Sequence, residues 1–341
     1  MTDVNRQILL RARPRGLPAS TDFEYREVPV PEPGPGEFVV RNDYLSLDPA
    51  IRGWMSDAPS YMPPIGLGEV MRGTTVGEVV ASRNDAFSPG DRVVGLHGWE
   101  DYSVGRGGGF DSKLPPELDV PPTWFLSVLG AVGMTAYFGL LETGRPRAGE
   151  TVLVSAAAGA VGSLVGQIAR LEGCRTVGIA GGPDKCRMLR EEFGFDAALD
   201  YKAGGDLQAA IADAAPDGVD VYFENVGGAI LDAALMNLNV RARIVVCGLI
   251  SIYNAEKPVP GPYNLWQLLV KRARMEGFLI ADWVGRFPEG IGQMADWLQS
   301  GHIHHREHIE PGLVDAPRTF LKLFDGSNHG KLIVDLSADR G

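Results

Sequence analysis

Thr151-Val-Leu-Val-Ser-Ala-Ala-Ala-Gly-Ala-Val-Gly162 runs directly into Ser163-Leu-Val-Gly-Gln-Ile-Ala-Arg-Leu171. The first stretch is β-prone, and the second repeats its apolar residues at helical spacing. Between them stands Ala157-x-Gly159-x-x-Gly162. A strand, a glycine turn and a helix in that order predict a phosphate cradle. The glycines let the backbone N–H groups around Gly159, Ala160, Val161 and Gly162 approach a pyrophosphate, and the helix turns the positive end of its dipole toward it. Ala157 occupies the first fingerprint position, where glycine is usual. The alternative is a tight packing turn in some other α/β protein.

Outward from this loop, from about Trp124, the period of the sequence is helical and then alternating. Helical spacing runs from Trp124 to Leu141. Strands are expected at 151–156, 175–180, 197–199, 218–223, 242–247 and 275–280, with helices near 160–171, 184–192, 205–215, 228–238, 264–272 and 287–300. Such alternation predicts βαβ units and a doubly wound α/β fold with a parallel sheet. The first 120 or so residues are instead β-rich and punctuated by turns such as Ser88-Pro-Gly-Asp91. The chain closes with another strand, Gly330-Lys-Leu-Ile-Val-Asp335. A β-rich segment at each end predicts a discontinuous domain, 1–125 with 303–341, around a nucleotide-binding domain at 126–302.

At 341 residues the chain exceeds the size at which single cores usually stop growing, about 250–300 residues. A net charge of −11 argues against a nucleic-acid or anionic-membrane surface while leaving room for a local basic pocket. No apolar run reaches the roughly 18 residues that span a bilayer, and Met1-Thr-Asp-Val-Asn-Arg lacks a signal pattern. Cys174, Cys186 and Cys247 suit a reducing compartment and buried thiols, so a cytoplasmic protein is expected.

An NAD site usually carries Asp or Glu at the end of its second strand, about 20 residues beyond the glycines. Here Thr176-Val-Gly-Ile-Ala180 ends in Gly181-Gly182, and Lys185 follows. A cation without a strand-end carboxylate predicts NADPH, with Asp184 as the one residue that could still reach a ribose. Metal is not expected: three scattered cysteines cannot build a four-Cys lobe, and Met71-Arg-Gly-Thr-Thr-Val-Gly-Glu78 holds no histidine. His302-Ile-His-His-Arg-Glu-His308 reads as a polar connector rather than a ligand set.

Several stretches together resemble the medium-chain dehydrogenase/reductase superfamily, in its zinc-free branch of leukotriene B4 dehydrogenase/prostaglandin reductase-like double-bond reductases. They are Leu47-Asp-Pro-Ala-Ile-Arg-Gly53, Thr135-Ala-Tyr-Phe-Gly-Leu140, Ala156-Ala-Ala-Gly-Ala-Val-Gly162, Phe223-Glu-Asn-Val-Gly-Gly228, Cys247-Gly-Leu-Ile-Ser-Ile-Tyr-Asn254 and Asn328-His-Gly-Lys-Leu-Ile-Val334. Gly181-Gly-x-x-Lys-Cys186 and Ile303-His-x-Arg-Glu307 resemble bacterial curcumin reductase-like members. Leu129-Gly-Ala-Val-Gly-Met-Thr-Ala-Tyr137 lacks the proline many members carry before the Thr-Ala-Tyr block.

The resemblance implies a Rossmann cofactor domain, a GroES-like catalytic domain, NADPH/NADP as cofactor and a homodimer paired through the cofactor domains. It implies reduction of the double bond of an α,β-unsaturated ketone or aldehyde: hydride to Cβ, then a proton to Cα. The growing enolate would be held by the nicotinamide ribose 2′-hydroxyl, itself bonded to Tyr253. Tyr201 and Lys185 would lie near the adenosine 2′-phosphate, with Gly181 beside them, the alternative for Tyr201 being an aromatic cap over the adenine edge. Asn225, at a strand's carboxyl end, and Cys247 would be further cofactor contacts, and Asn328 would approach the nicotinamide. A small hydrophobic conjugated substrate would meet Tyr44, Trp54, Met55, Tyr61, Met62, Tyr263 and Trp266 in an interdomain cleft. Asp48 and Arg52 fit a structural ion pair better than a catalytic one. The competing readings are a zinc-free quinone oxidoreductase and a non-catalytic NADPH-binding or redox-sensing protein.

Overall fold

The computed structural model describes residues 4–338 and 340. It divides into two compact units, one ending at Leu126 and resuming at Glu307, the other spanning Ser127–Arg306. In the first, β1 (Val4–Leu10) and β2 (Phe23–Pro29) pair as an antiparallel ribbon. There follow β3 (Phe38–Ser46), a short α1 (Ala50–Trp54), β4 (Arg72–Ser82), β5 (Arg92–Gly98), β6 (Tyr102–Gly105) and β7 (Ser112–Lys113).

The second unit opens with α2 (Ala131–Phe138), which loosens into a π-helical turn, Gly139–Gly144. Strands and helices then alternate: β8 (Thr151–Val154), α3 (Ala160–Leu171), β9 (Arg175–Ala180), α4 (Pro183–Glu191), β10 (Ala197–Asp200) and α5 (Leu207–Ala214). After them come β11 (Val219–Glu224), α6 (Gly228–Met236), β12 (Leu238–Val246), α7 (Trp266–Lys271), β13 (Arg274–Gly277) and α8 (Phe287–Gln299). The six strands are parallel, in the order β10-β9-β8-β11-β12-β13. That is the doubly wound Rossmann order, which reverses direction between β8 and β11 and leaves a crevice at their carboxyl ends. Burial of Leu153, Val177, Ile179, Tyr222 and Ile244 against the flanking helices makes one of its cores.

β14 (Glu307–Pro311), α9 (Ala316–Asp325) and β15 (Lys331–Asp335) return to the first unit. They complete a seven-stranded sheet ordered β14-β15-β3-β4-β5-β7, with β6 also on β3. Leu45, Ile51, Met55, Trp99, Phe320 and Leu332 are fully buried in its main core.

Two expected elements differ. The helical run from Trp124 to Leu141 is broken: a 3-10 turn covers Pro122–Leu126, and Gly130 is extended before α2 begins. The chain doubles back so tightly that a Cβ on Gly133 would lie 1.8 Å from the Val128 carbonyl oxygen. β12 starts at Leu238, which pairs with Val219, ahead of an irregularity where Arg241 takes φ 67°. Helical spacing persists past Met236, but pairing with β11 outcompetes it.

Candidate functional site

The cradle is held from both sides. The Ser155 N–H donates to Phe223 O at 3.1 Å, and the Ala157 N–H donates to Ile179 O at 3.0 Å. Ala157 is fully buried, so it shapes the loop while its own donor is committed to β9. Ala156 enters the left-handed region at φ 47°. Gly159 is extended at the head of α3 and no side chain caps that helix. The first N–H groups of a helix have no intrahelical acceptor, so those of Ala160, Val161 and Gly162 are available to an anion. A Cβ on Gly162 would lie 2.5 Å from Ala156 O and 2.8 Å from Ala157 Cα, so only glycine lets the helix close on its loop.

The tip of β9 carries no carboxylate. A Cβ on Gly181 would come within 3.0 Å of both Lys202 Cε and Tyr201 Cε1. Gly182 takes φ 97° to start α4. Its N–H donates to Asp200 Oδ1 at 2.7 Å, and the Lys202 N–H donates to the same oxygen at 2.9 Å. The nearest acid is thus engaged by the backbone. Asp184 is exposed and pairs with Arg187 at 2.6 Å. Lys185 is half-buried in the first turn of α4, and Tyr201 is exposed, with Lys202 Nζ 5.9 Å from its ring centroid. Sequence reasoning missed Lys202. Its only signal was adjacency to Tyr201, and it takes the pairing of β10 with β9 to bring it to Gly181.

At the carboxyl ends of β11 and β12 the chain forms a hydrogen-bonded knot. Asn225 Nδ2 donates to Ser155 O at 2.7 Å, its N–H donates to Ser155 Oγ at 2.8 Å, and its carbonyl accepts the Ile250 N–H at 3.1 Å. Asn225 therefore acts through both side chain and backbone. Beyond β12, Cys247, Gly248, Leu249, Tyr253, Phe278 and Asp282 line a cavity of about 460 Å³. The Tyr253 hydroxyl accepts the Leu249 N–H at 3.3 Å, and a Cβ on Gly248 would lie 3.0 Å from that oxygen. Burial, aided by the Glu224 carboxylate, pushes the Cys247 thiol up to about 12, so it is no nucleophile near neutrality.

Asn328 belongs to the other unit, where its Nδ2 donates to Gly330 O at 3.0 Å. In that unit Met55 is fully buried in the core, which removes it from an exposed substrate wall, while Trp54 is half-buried and packs on that core. Tyr44 packs on Val76, Leu126 and Ile333; Tyr61 is exposed and Met62 half-buried. Asp48 pairs with Lys331 Nζ, while Arg52 donates to the carbonyls of Gly16 at 3.0 Å and Pro14 at 3.3 Å. Both side chains are thus held by structural partners. In the second unit Tyr263 and Trp266 are strongly exposed.

In the 302–308 run His302 Nδ1 lies 2.8 Å from Ser300 Oγ and His308 Nε2 2.6 Å from Glu310, while the main chain of His304 is bonded to the Gln167 amide. Among the described residues no group of three or more His, Cys, Asp or Glu side chains could hold a metal ion. Nor is any helix among them long and apolar enough to cross a membrane.

Residues 6–112 match a family model described as the N-terminal domain of oxidoreductase, and residues 160–299 one described as zinc-binding dehydrogenase. The chain is 47% identical to the NADPH-dependent curcumin reductase of Escherichia coli, over 98% of either chain. It belongs to the zinc-independent medium-chain dehydrogenase/reductases. Within that family it is 42% identical to the NADP(+)-dependent 2-alkenal reductase of Nicotiana tabacum, again over 98% of each. Vibrio vulnificus CurA, solved in complex with NADPH, superimposes with a TM-score of 0.92 at 45% identity, covering 97% of this chain and 99% of that one.

Proposed function

We propose that this oxidoreductase uses NADPH to reduce the carbon–carbon double bond of α,β-unsaturated ketones and aldehydes. What carries the reading is one arrangement within the second unit: an uncapped helix N-terminus, a β9 tip flanked by lysines, and a tyrosine-lined cavity at the ends of the next strands. NADPH fits the residues present. Its pyrophosphate would be held by the backbone at Gly159, Ala160, Val161 and Gly162, shaped by Ala157. Its adenosine 2′-phosphate would be held by Lys185, Tyr201 and Lys202 around Gly181. Asn225, Cys247 and Tyr253 would line the nicotinamide end.

When bound, NADPH supplies a hydride for the β-carbon. The protein's part is to orient the conjugated carbonyl and stabilise negative charge growing on its oxygen. Tyr253 is suited to this, because a phenol hydroxyl can donate a hydrogen bond to a growing oxyanion without itself carrying charge. A flat, apolar conjugated substrate matches a cavity walled by Phe278, Leu249 and Tyr253.

The working form would be a homodimer made through the second unit. β13 is an edge strand, and near it in sequence Tyr263, Trp266 and Leu269 are 84%, 67% and 63% exposed. An unpaired strand edge with exposed apolar side chains favours a second copy of the same surface. Light scattering should give twice the chain mass, and Trp266→Lys should shift it toward the monomer.

The decisive experiment follows NADPH oxidation with a trans-2-alkenal and with a simple quinone. Turnover of the alkenal alone supports the proposal. Turnover of the quinone alone would make the protein a quinone reductase, and tight NADPH binding without turnover of either would make it a binding protein.

A further inference from the structure

Glu224, the last residue of β11, is a wholly buried carboxylate. Buried carboxylates are costly unless fully hydrogen-bonded, and this one is. Its Oε1 accepts the Ser155 hydroxyl at 2.8 Å and the Gly227 N–H at 3.0 Å, together with the Val226 N–H. Its Oε2 accepts the Tyr222 hydroxyl at 2.7 Å. The Tyr222 ring is itself fully buried, and burial beside Glu224 holds its phenol well above its ordinary pKa, so it stays a donor.

The partners of Glu224 lie on three strand ends. Ser155 is the first residue after β8 and opens the cradle; Val226 and Gly227 form the turn after β11. The Glu224 carbonyl accepts the N–H groups of Cys247 at 2.9 Å and Gly248 at 3.1 Å, just beyond β12. From Gly248 the chain continues to Tyr253, whose hydroxyl returns to the Leu249 N–H. Side chain and main chain of one residue thus tie the phosphate cradle, the Asn225 turn and the Tyr253 loop.

We infer that Glu224 is a positioning residue that registers the dinucleotide cradle against the Tyr253 loop. It touches no reactant; it sets where Ser155 and Cys247–Gly248 sit, and through them where cofactor and phenol meet. The inference rests on the NADPH reductase reading. A charge suits this task because charge-assisted hydrogen bonds are roughly twice as strong as neutral ones, and a fixed, desolvated acceptor holds several donors in one geometry.

The test is Glu224→Gln beside Ser155→Ala. Glutamine keeps shape: its oxygen can face Ser155, Val226 and Gly227 while its amide donates to Tyr222 Oη. Ser155→Ala removes a single hydroxyl and decides the matter if the glutamine variant folds poorly. Expected for each folded variant is a rise of about tenfold in the Kd of NADPH and, by the same factor, of NADH. kcat for an enone should fall by about tenfold or more while its KM stays within about twofold, because misregistration weakens the transition state more than substrate binding. Lys185→Ala serves as the contrast, since its effect is confined to NADPH. Wild-type affinities and kcat in both variants, whatever happens to Tm, would show a purely structural carboxylate and overturn the inference while the reductase reading stands. Wild-type protein that binds no NADPH would overturn both.

Discussion

The carbonyl oxygen of Ala156 lies where a Cβ on Gly162 would approach to 2.5 Å. That contact closes α3 onto its loop and brings the helix N-terminus to the edge of the sheet. Gly162→Ala must push the first turn outward. Overpacking of this kind costs about 1–3 kcal/mol. A lower Tm is expected, with NADPH affinity weakened about tenfold or more as the N–H groups lose their alignment. Fluorescence titration of folded variant with NADPH checks it; unchanged affinity would mean the helix N-terminus does not hold the dinucleotide.

Lys185 and Lys202 flank a glycine corner whose nearest acid, Asp200, is engaged by the backbone N–H groups of Gly182 and Lys202. Lys185→Ala and Lys202→Ala should each raise the Kd of NADPH by about tenfold, the worth of one charge-assisted hydrogen bond, and leave NADH nearly untouched. Calorimetry with both dinucleotides at two salt concentrations is the measurement. Equal losses for the two would remove the 2′-phosphate from this corner.

Tyr253→Phe keeps the ring in its loop and deletes the hydroxyl. Loss of one donor to a growing oxyanion typically costs about 10²-fold or more in kcat. The variant should show such a fall with an alkenal while NADPH still binds. Undiminished turnover would exclude the polarising role.

The three thiols are predicted to be inert. Burial holds Cys247 at about 12 and Cys174 at about 11, and raises Cys186 above its ordinary value. At about pH 8 the thiolate fraction is then small. Iodoacetamide should leave native protein unmodified and active over a time that alkylates unfolded chain completely. Rapid labelling of Cys247, which is half-exposed on the cavity wall, would show that its thiol is not held protonated.

Glu150 gives a signed prediction for acid. Burial would raise its carboxyl, but the Arg243 guanidinium, one of whose bonds is 3.0 Å, and the Arg147 N–H at 2.9 Å bring it below the usual range. A depressed folded-state pKa stabilises above the unfolded value, about 4.3, and that contribution disappears as pH falls through the folded value. Wild type should therefore exceed Glu150→Gln in Tm near neutrality and converge with it in acid below that range. A constant difference across the range would sink the assignment.

Much of the second unit was legible because its signals are local. α3 spans the expected 160–171, and β9 the expected 175–180, since alternating apolar strands and amphipathic helices declare themselves over a few residues. The Trp124–Leu141 stretch was misjudged for the complementary reason. Its helical spacing is real, but Gly130 and Gly133 serve a backbone fold-back that periodicity does not register.

By itself, Ala157-x-Gly159-x-x-Gly162 determined the strand, the glycine turn and the helix, because backbone conformation and amphipathic period are set by neighbouring residues. The missing acid after Ala180 was equally plain. Tertiary structure alone decided which distant groups share that site. The order β10-β9-β8-β11-β12-β13 brings Lys202 to Gly181 and sets Ser155, Glu224 and Cys247 on adjoining strand ends. In the first unit, packing sent Met55 into a core and matched Asp48 with Lys331. Such contacts span tens to hundreds of residues, and they depend on sheet order and packing, which no local pattern encodes.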